Sequence, residues 1–260
     1  VKGVLCRAVG TDKCGAARIY LMRTPQFNAA MAPNGMMLVW SGLLLRARNE
    51  AELAAVLGHE FVHFEQQHSL KSFRDIKAKS DAITWLGFVP GGMLAQIGLM
   101  GSVLRFNREM EKQADMAALD YLSASGYDPM APSKIWEQLL GEMDVQAKAN
   151  KSGAAAQEAS DFFSSHPNTR VRMEYLRAAA RRKAPSSDDG AGRYRAAIAR
   201  WWPRLIDDQV KLNDFATTEF LLEGLARGNW TADLLYARGE LYRARGKEGD
   251  LAKAEGFYRQ

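Results

Sequence analysis

The sequence predicts an α+β, mostly α fold, in which a small antiparallel sheet precedes a buried helix and a short helical tail closes the chain. Three observations lead there. From residue 49 onward, long segments carry apolar residues at helical spacing. Before it, two short apolar stretches flank Pro33-Asn34-Gly35, a turn signal. Finally, KAPSSDDGAG at 183–192 has the composition of a linker. With 260 residues and 47% apolar content the chain can bury a full core. The expected division is 1–182 as one domain, 183–192 as a linker and 193–260 as a helical region.

In chain order, residues 1–14 read as a short helix and turn. Cys6 and Cys14 are the only cysteines, too few for a cysteine zinc site. They could close a short disulfide, which would imply an oxidising compartment, or remain two inert thiols. The chain begins at Val1 without an initiator methionine, so a trimmed form is expected, with any signal peptide or lipid anchor out of view. ARIYLMR (17–23) has strand composition, and the segment around Pro33-Asn34-Gly35 reads as a hairpin. An edge of such a sheet can take an extended peptide as an added strand.

Asn49 to His68 reads as one helix, with Asn49 and Glu52 forming a capping box. At 100° per residue His59 and His63 project from one face, a spacing that suits two ligands of one tetrahedral zinc ion. Glu60 falls beside them, where a carboxylate can take the proton of a water at the metal, the arrangement a peptide hydrolase needs. The competing reading is a buried helix whose histidines hydrogen-bond into the core. His68, about 180° round the same helix from His59, is expected to face away and be structural.

No charge occurs from Ala82 to Leu104, but Gly and Pro break the stretch, so a buried or interfacial helical hairpin is expected rather than a span. That hairpin allows a peripheral membrane contact. The helix that follows ends at Gly126 and sets Glu111 and Asp115 one turn apart. Glu111 would complete a two-histidine, one-glutamate site, and Asp115 would accept the free ring N–H of a ligating histidine. Pro132 to about Asn150 is another amphipathic helix, and KANKSGAAAQEAS reads as a loop or mobile segment. It leads to His166, which by default is exposed. Close to the site, it could donate to an oxyanion or fill the open zinc position. The net charge of +5 is modest, and RVRMEYLRAAARRK reads as a solvated helix face, so nucleic acid is not expected as a partner. In the tail, Gly239, Tyr242, Ala254 and Tyr258 resemble one tetratricopeptide unit, against a plain helical hairpin.

Taken together, FNAAMAPNGMMLVWSGLLLRARNEAELAAVLGHEFVHFEQQH, NREMEKQAD and SSHPNTRVRMEYLR resemble the HtpX and CAAX-prenyl-protease type of gluzincin zinc endopeptidases, metallopeptidase family 48. The resemblance covers about residues 15–180, and the chain is most similar to the soluble, envelope-located, BepA-like members with a tetratricopeptide tail. It implies a zincin-type metalloprotease domain, with one zinc ion per chain held by His59, His63 and Glu111, and Glu60 as base. It further implies Asp115 behind a ligand, Asn28 and its strand bordering the cleft, and His166 and Arg172 in a loop closing over the zinc. Arg170 takes the place of Arg172 if the alignment has a gap. The activity implied is zinc-dependent endopeptidase action on misfolded or unassembled envelope proteins, in the periplasm or cell envelope. Protein or peptide substrates and a protein partner of the tail are implied with it. Prenylated-peptide cleavage is not, because the transmembrane helices of that branch are not expected here. The other class to weigh is a chaperone-like client binder whose zinc site stays plugged and latent.

Overall fold

In the computed structural model, residues 1–86, 92–149 and 169–260 are described. The chain opens with α1 (Lys2–Val9) and α2 (Thr11–Cys14), separated at Gly10, whose φ of 95° suits glycine. A Cys6–Cys14 disulfide, with its Cα atoms 5.0 Å apart, ties the two together.

Three strands follow: β1 (Arg18–Met22), β2 (Ala29–Met31) and β3 (Met36–Trp40). The expected hairpin forms between β2 and β3, with Ala29 opposite Val39 and Met31 opposite Met37, and Gly35 at φ 84° in its turn. The sheet is mixed, however, rather than antiparallel: its order is β1-β3-β2, and β1 runs parallel to β3 from Arg18–Met36 to Met22–Trp40. The reason lies in the connection from β1 to β2. Thr24 is held at the start of α3 (Ser41–Arg46), its carbonyl accepting from Gly42 N–H and Ser41 Oγ, both at 2.9 Å. The chain therefore crosses the end of β3 and deposits β2 on its far side, leaving β3 to return between them. A Cβ at Gly42 would lie 2.1 Å from the carbonyl oxygen of Pro25, so this crossing requires glycine.

α4 (Glu50–Glu65) is the centre of the core, buried without interruption from Ala51 to Val62. Asn49 Oδ1 accepts from Glu52 N at 2.8 Å as a cap should. The reciprocal half of the capping box is displaced by one residue, since the Glu52 carboxylate accepts from Arg48 N at 2.9 Å. α4 also ends earlier than its sequence suggests. Gln67 takes a left-handed φ of 54°, the helix breaks, and α5 (His68–Leu86) starts in a new direction.

α6 (Gly92–Ala124) packs along α4, with Gly58 facing Ala118 so that the two axes approach closely, and it ends before Gly126 at φ 76°. The turn of the expected hairpin at 82–104 lies outside the described residues. Among the described residues no helix is long and apolar enough to cross a membrane. α7 (Ala131–Ala149) and α8 (Thr169–Ala180) complete the packing round α4 and α6. α7 is joined to α3 by the buried Arg46–Glu142 pair at 2.7 Å.

Of the 183–192 stretch, residues 183–190 are irregular and are pinned to the rest of the chain, and 191–192 already belong to the next helix. The carbonyls of Asp188 and Asp189 accept from Asp128 N and Ala51 N, and Ser186 Oγ donates to Gly126 O at 2.6 Å. Beyond it run α9 (Ala191–Ile198), a 3-10 turn (Ala199–Trp201), α10 (Trp202–Val210), α11 (Phe215–Ala226), α12 (Ala232–Arg245) and α13 (Asp250–Tyr258). Their apolar cluster of Ile206, Leu221, Leu222 and Leu241 includes Leu45 from α3. The last two helices pack together, with the Tyr258 ring against Gly239.

The disulfide closes a loop short enough for the loop-entropy relation to give about 2–3 kcal/mol of stabilisation. The Cys6→Ser/Cys14→Ser double variant should lose that amount in urea unfolding under non-reducing conditions, with m unchanged. An unaltered midpoint would show that the bridge contributes nothing.

Candidate metal centre

Two helices build the site. On α4, His59 and His63 stand one turn apart with their Nε2 atoms 3.0 Å from each other. On α6, Glu111 faces both: its Oε1 is 3.2 Å from His63 Nε2 and its Oε2 3.5 Å from His59 Nε2. One turn further along α6, Asp115 Oδ1 lies 2.9 Å from His59 Nδ1. These are the four residues that helical spacing in the sequence nominates for ligation and its support. Glu60 is buried beside them, and its charge acts to raise the pKa of His63.

The donor set fits a zinc ion. Ligand atoms 2.0 to 2.1 Å from a tetrahedral centre lie about 3.3 Å apart, and the three separations here are 3.0, 3.2 and 3.5 Å. Hydrogen bonding points the same way. If His59 Nδ1 carries the proton shared with Asp115, its Nε2 lone pair faces another imidazole nitrogen and a carboxylate, with Arg172 Nη2 at 3.4 Å as the neighbouring donor, and a cation at ligand distance would satisfy all three acceptors. Charge agrees: with the histidines neutral, as ligation requires, Glu60, Glu111 and Asp115 are buried with the Arg172 guanidinium among them, a formal excess of two negative charges. The pKa shifts report the same field. Burial and Arg172 both push His59 down, yet Asp115 and Glu111 outweigh them and bring it up to about 9. Burial pushes Asp115 up, but Arg172 and His59 hold it well below the usual carboxylate range. His63 is lowered, chiefly by burial.

Of the two arginines of the third motif, Arg172 is buried and Arg170 is exposed. The setting of Arg172 differs from expectation in one respect. It sits on helix α8 rather than in a loop, with Nε and Nη2 donating to Asp115 at 2.8 and 2.7 Å, Nη1 3.2 Å from Glu111 Oε2, and the guanidinium over the Trp136 ring. Tyr175, one turn on, also donates to Asp115, a partner that sequence reasoning missed although i, i+3 spacing from Arg172 was there to suggest it. His166 lies outside the described residues. Asn28 is buried just before β2, with its carbonyl accepting from Trp40 N at 3.1 Å.

His68 departs most from the sequence reading. Expected to face away, it is buried with Nδ1 3.0 Å from His63 Nδ1. The one-helix assumption fails at Gln67, and the break swings His68 back toward His63. Burial first, and the neighbouring His63 second, push its pKa down to about 4. The signal available was the polar Glu65-Gln66-Gln67 run that ends the apolar pattern of α4.

A cleft of about 510 Å³ opens against His63, walled by Met31 and Pro33 of the β2–β3 hairpin and by Phe61, Phe64 and Leu70. Asn28 is not among the residues that line this cleft. A second cavity of about 200 Å³ lies within the C-terminal helices, between Ile206 and Tyr236, and shares no residue with the histidine site.

With this geometry in view, comparison with known proteins is specific. The model of peptidase family M48 matches residues 4–180, and the chain belongs to that family. The mitochondrial metalloendopeptidase OMA1 of Schizosaccharomyces pombe is 31% identical over 162 residues, covering 61% of this chain and 45% of the relative. OMA1 of Arabidopsis thaliana is 28% identical over 159 residues, covering 61% and 30%. The beta-barrel assembly-enhancing protease of Escherichia coli is 28% identical over 137 residues, covering 47% and 28%. The chain thus spans less than half the length of each of these curated relatives.

If the three residues are the ligands, the purified chain binds one zinc ion, and His59→Ala, His63→Ala and Glu111→Ala each lose it. Elemental analysis after dialysis checks this, and near-stoichiometric zinc in any of the three removes that residue from the ligand set. Asp115→Asn should keep the site but weaken it by about 10- to 100-fold.

Proposed function

We propose that the chain is a zinc-dependent metalloendopeptidase, with His59, His63 and Glu111 holding the metal and Glu60 as general base. The observation that carries this reading is the convergence of two Nε2 atoms and one carboxylate at ligand spacing, beside a cleft that His63 lines, in a chain of peptidase family M48. A bound zinc ion would supply a Lewis acid that polarises the scissile carbonyl and acidifies the attacking water. Glu60 takes the proton of that water and returns it to the leaving amine nitrogen. Asp115 accepts the His59 Nδ1 proton and fixes that ring. Arg172 and Tyr175 hold Asp115 in turn, so Arg172 acts as a positioning residue rather than at an oxyanion. Phe61, Phe64 and Leu70 offer apolar side-chain contacts, and the β2 edge offers main-chain pairing to an extended peptide.

The biological reading is quality control of misfolded or unassembled proteins in the periplasm or cell envelope. Two features support it: several relatives bear the name beta-barrel assembly-enhancing protease, and the Cys6–Cys14 bridge suits an oxidising compartment. The helices after residue 192, where the Tyr258 ring lies against Gly239, would serve as a tetratricopeptide-like region that holds a client or partner protein.

Digestion of casein and of an unfolded outer-membrane barrel tests the chemistry. Glu60→Gln should keep its zinc and lose about 10²- to 10⁴-fold in turnover, because an amide cannot accept the proton. Wild-type turnover in a zinc-replete Glu60→Gln protein would exclude Glu60 as the base. The same variant, recovered from an envelope fraction with bound clients, identifies the substrate class.

A further inference from the structure

We propose that His68 is a positioning residue of the metal centre: its Nδ1 accepts the Nδ1–H of His63 and so keeps the His63 Nε2 lone pair on the metal side. The inference rests on the zinc reading above and extends it to a residue outside the ligand motif. To ligate, His63 must present a bare Nε2, the atom that faces Glu111 Oε1 at 3.2 Å and His59 Nε2 at 3.0 Å. A neutral imidazole bare at Nε2 carries its proton on Nδ1, and that proton needs an acceptor. The atom there is His68 Nδ1 at 3.0 Å, with the rings 4.9 Å apart and near perpendicular, an arrangement for one shared proton rather than for stacking.

The backbone gives independent support. On an unbroken α4, His68 would lie about 180° round from His59 and could not meet His63. It does so because the helix stops at Glu65 and Gln67 adopts φ 54°, a left-handed conformation unfavourable for a non-glycine residue. The break leaves His68 only 2% exposed, at the first position of α5. The two ligating rings are thus held by unlike acceptors: a charged carboxylate, Asp115, for His59 and a neutral imidazole, His68, for His63.

Zinc affinity by chelator competition, measured on the full chain, tests the assignment with three proteins. His68→Ala should bind zinc about 10- to 100-fold more weakly than wild type. His68→Asn, whose Oδ1 stands near the place of Nδ1, should recover most of that loss although it packs no better than alanine in the space of the ring. Equal weakening in both variants, or wild-type affinity in His68→Ala, overturns the proposal. A third readout needs no variant: in the ¹⁵N spectrum of the zinc-loaded wild type, His63 should be protonated at Nδ1 and His68 bare at Nδ1. A protonated His68 Nδ1 overturns the inference while leaving the zinc reading intact. A wild-type chain that binds no zinc overturns both.

Discussion

A single carboxylate, that of Asp115, joins the fold of this protein to its His59-His63-Glu111 cluster. It is buried, and it accepts from His59 Nδ1 on α4 and from Arg172 Nε, Arg172 Nη2 and Tyr175 Oη on α8. Taking a carboxylate out of water costs several kcal/mol, and only a nearly complete set of donors offsets it. Withdrawing one charged partner from such a group typically costs about 3–5 kcal/mol. Three helices therefore meet where they do because one charge requires all of them. Stacking of Arg172 on Trp136 brings in α7 as a fourth. The same guanidinium offsets only part of the local negative charge, and the remainder is what a divalent cation would neutralise.

The centre was readable in the sequence to the extent that it depends on helical periodicity. His59 with His63, and Glu111 with Asp115, are i, i+4 pairs on strongly patterned helices, and for such pairs spacing determines direction. That α4 and α6 lie against each other was not in the spacing. It follows from small residues, Gly58 and Ala118, placed where the two helices touch. The choice of Arg172 over Arg170 was open to the sequence because the preceding segment has no pattern to fix an alignment. In the structure the Arg172 guanidinium reaches a buried carboxylate and Arg170 is exposed.

What was not readable involves breaks and crossings. Nothing between Phe64 and His68 is glycine, proline or asparagine, so the left-handed turn at Gln67 leaves no compositional mark beyond a loss of apolar residues. Sheet topology was hidden for a similar reason. Local rules pair neighbouring strands as hairpins, and they succeed for β2 and β3, where Asn34-Gly35 marks the turn. The parallel partner of β1 is set by a tertiary contact, the docking of Thr24 on Ser41 and Gly42, which no short window of sequence contains.

The C-terminal helices show how far composition falls short of mechanics. KAPSSDDGAG reads as a linker, yet Asp188 and Asp189 accept main-chain hydrogen bonds from Asp128 and Ala51, and Arg7 and Arg193 pair with the Asp188 side chain. Past it, the tail completes its own apolar cluster with Leu45, a residue of α3. Asp208 on α10 pairs with both Nε and Nη2 of Arg23, at the exit of β1. Bidentate geometry and a shared core are features of a fixed junction rather than of a tether. Arg23 and Leu45 flank the crossover that puts β2 on its edge of the sheet, and the β2–β3 hairpin supplies Met31 and Pro33 to the cleft beside His63. The tail is therefore joined by direct contacts to the end of α3, through Leu45, and to the residue that leaves β1, through Arg23.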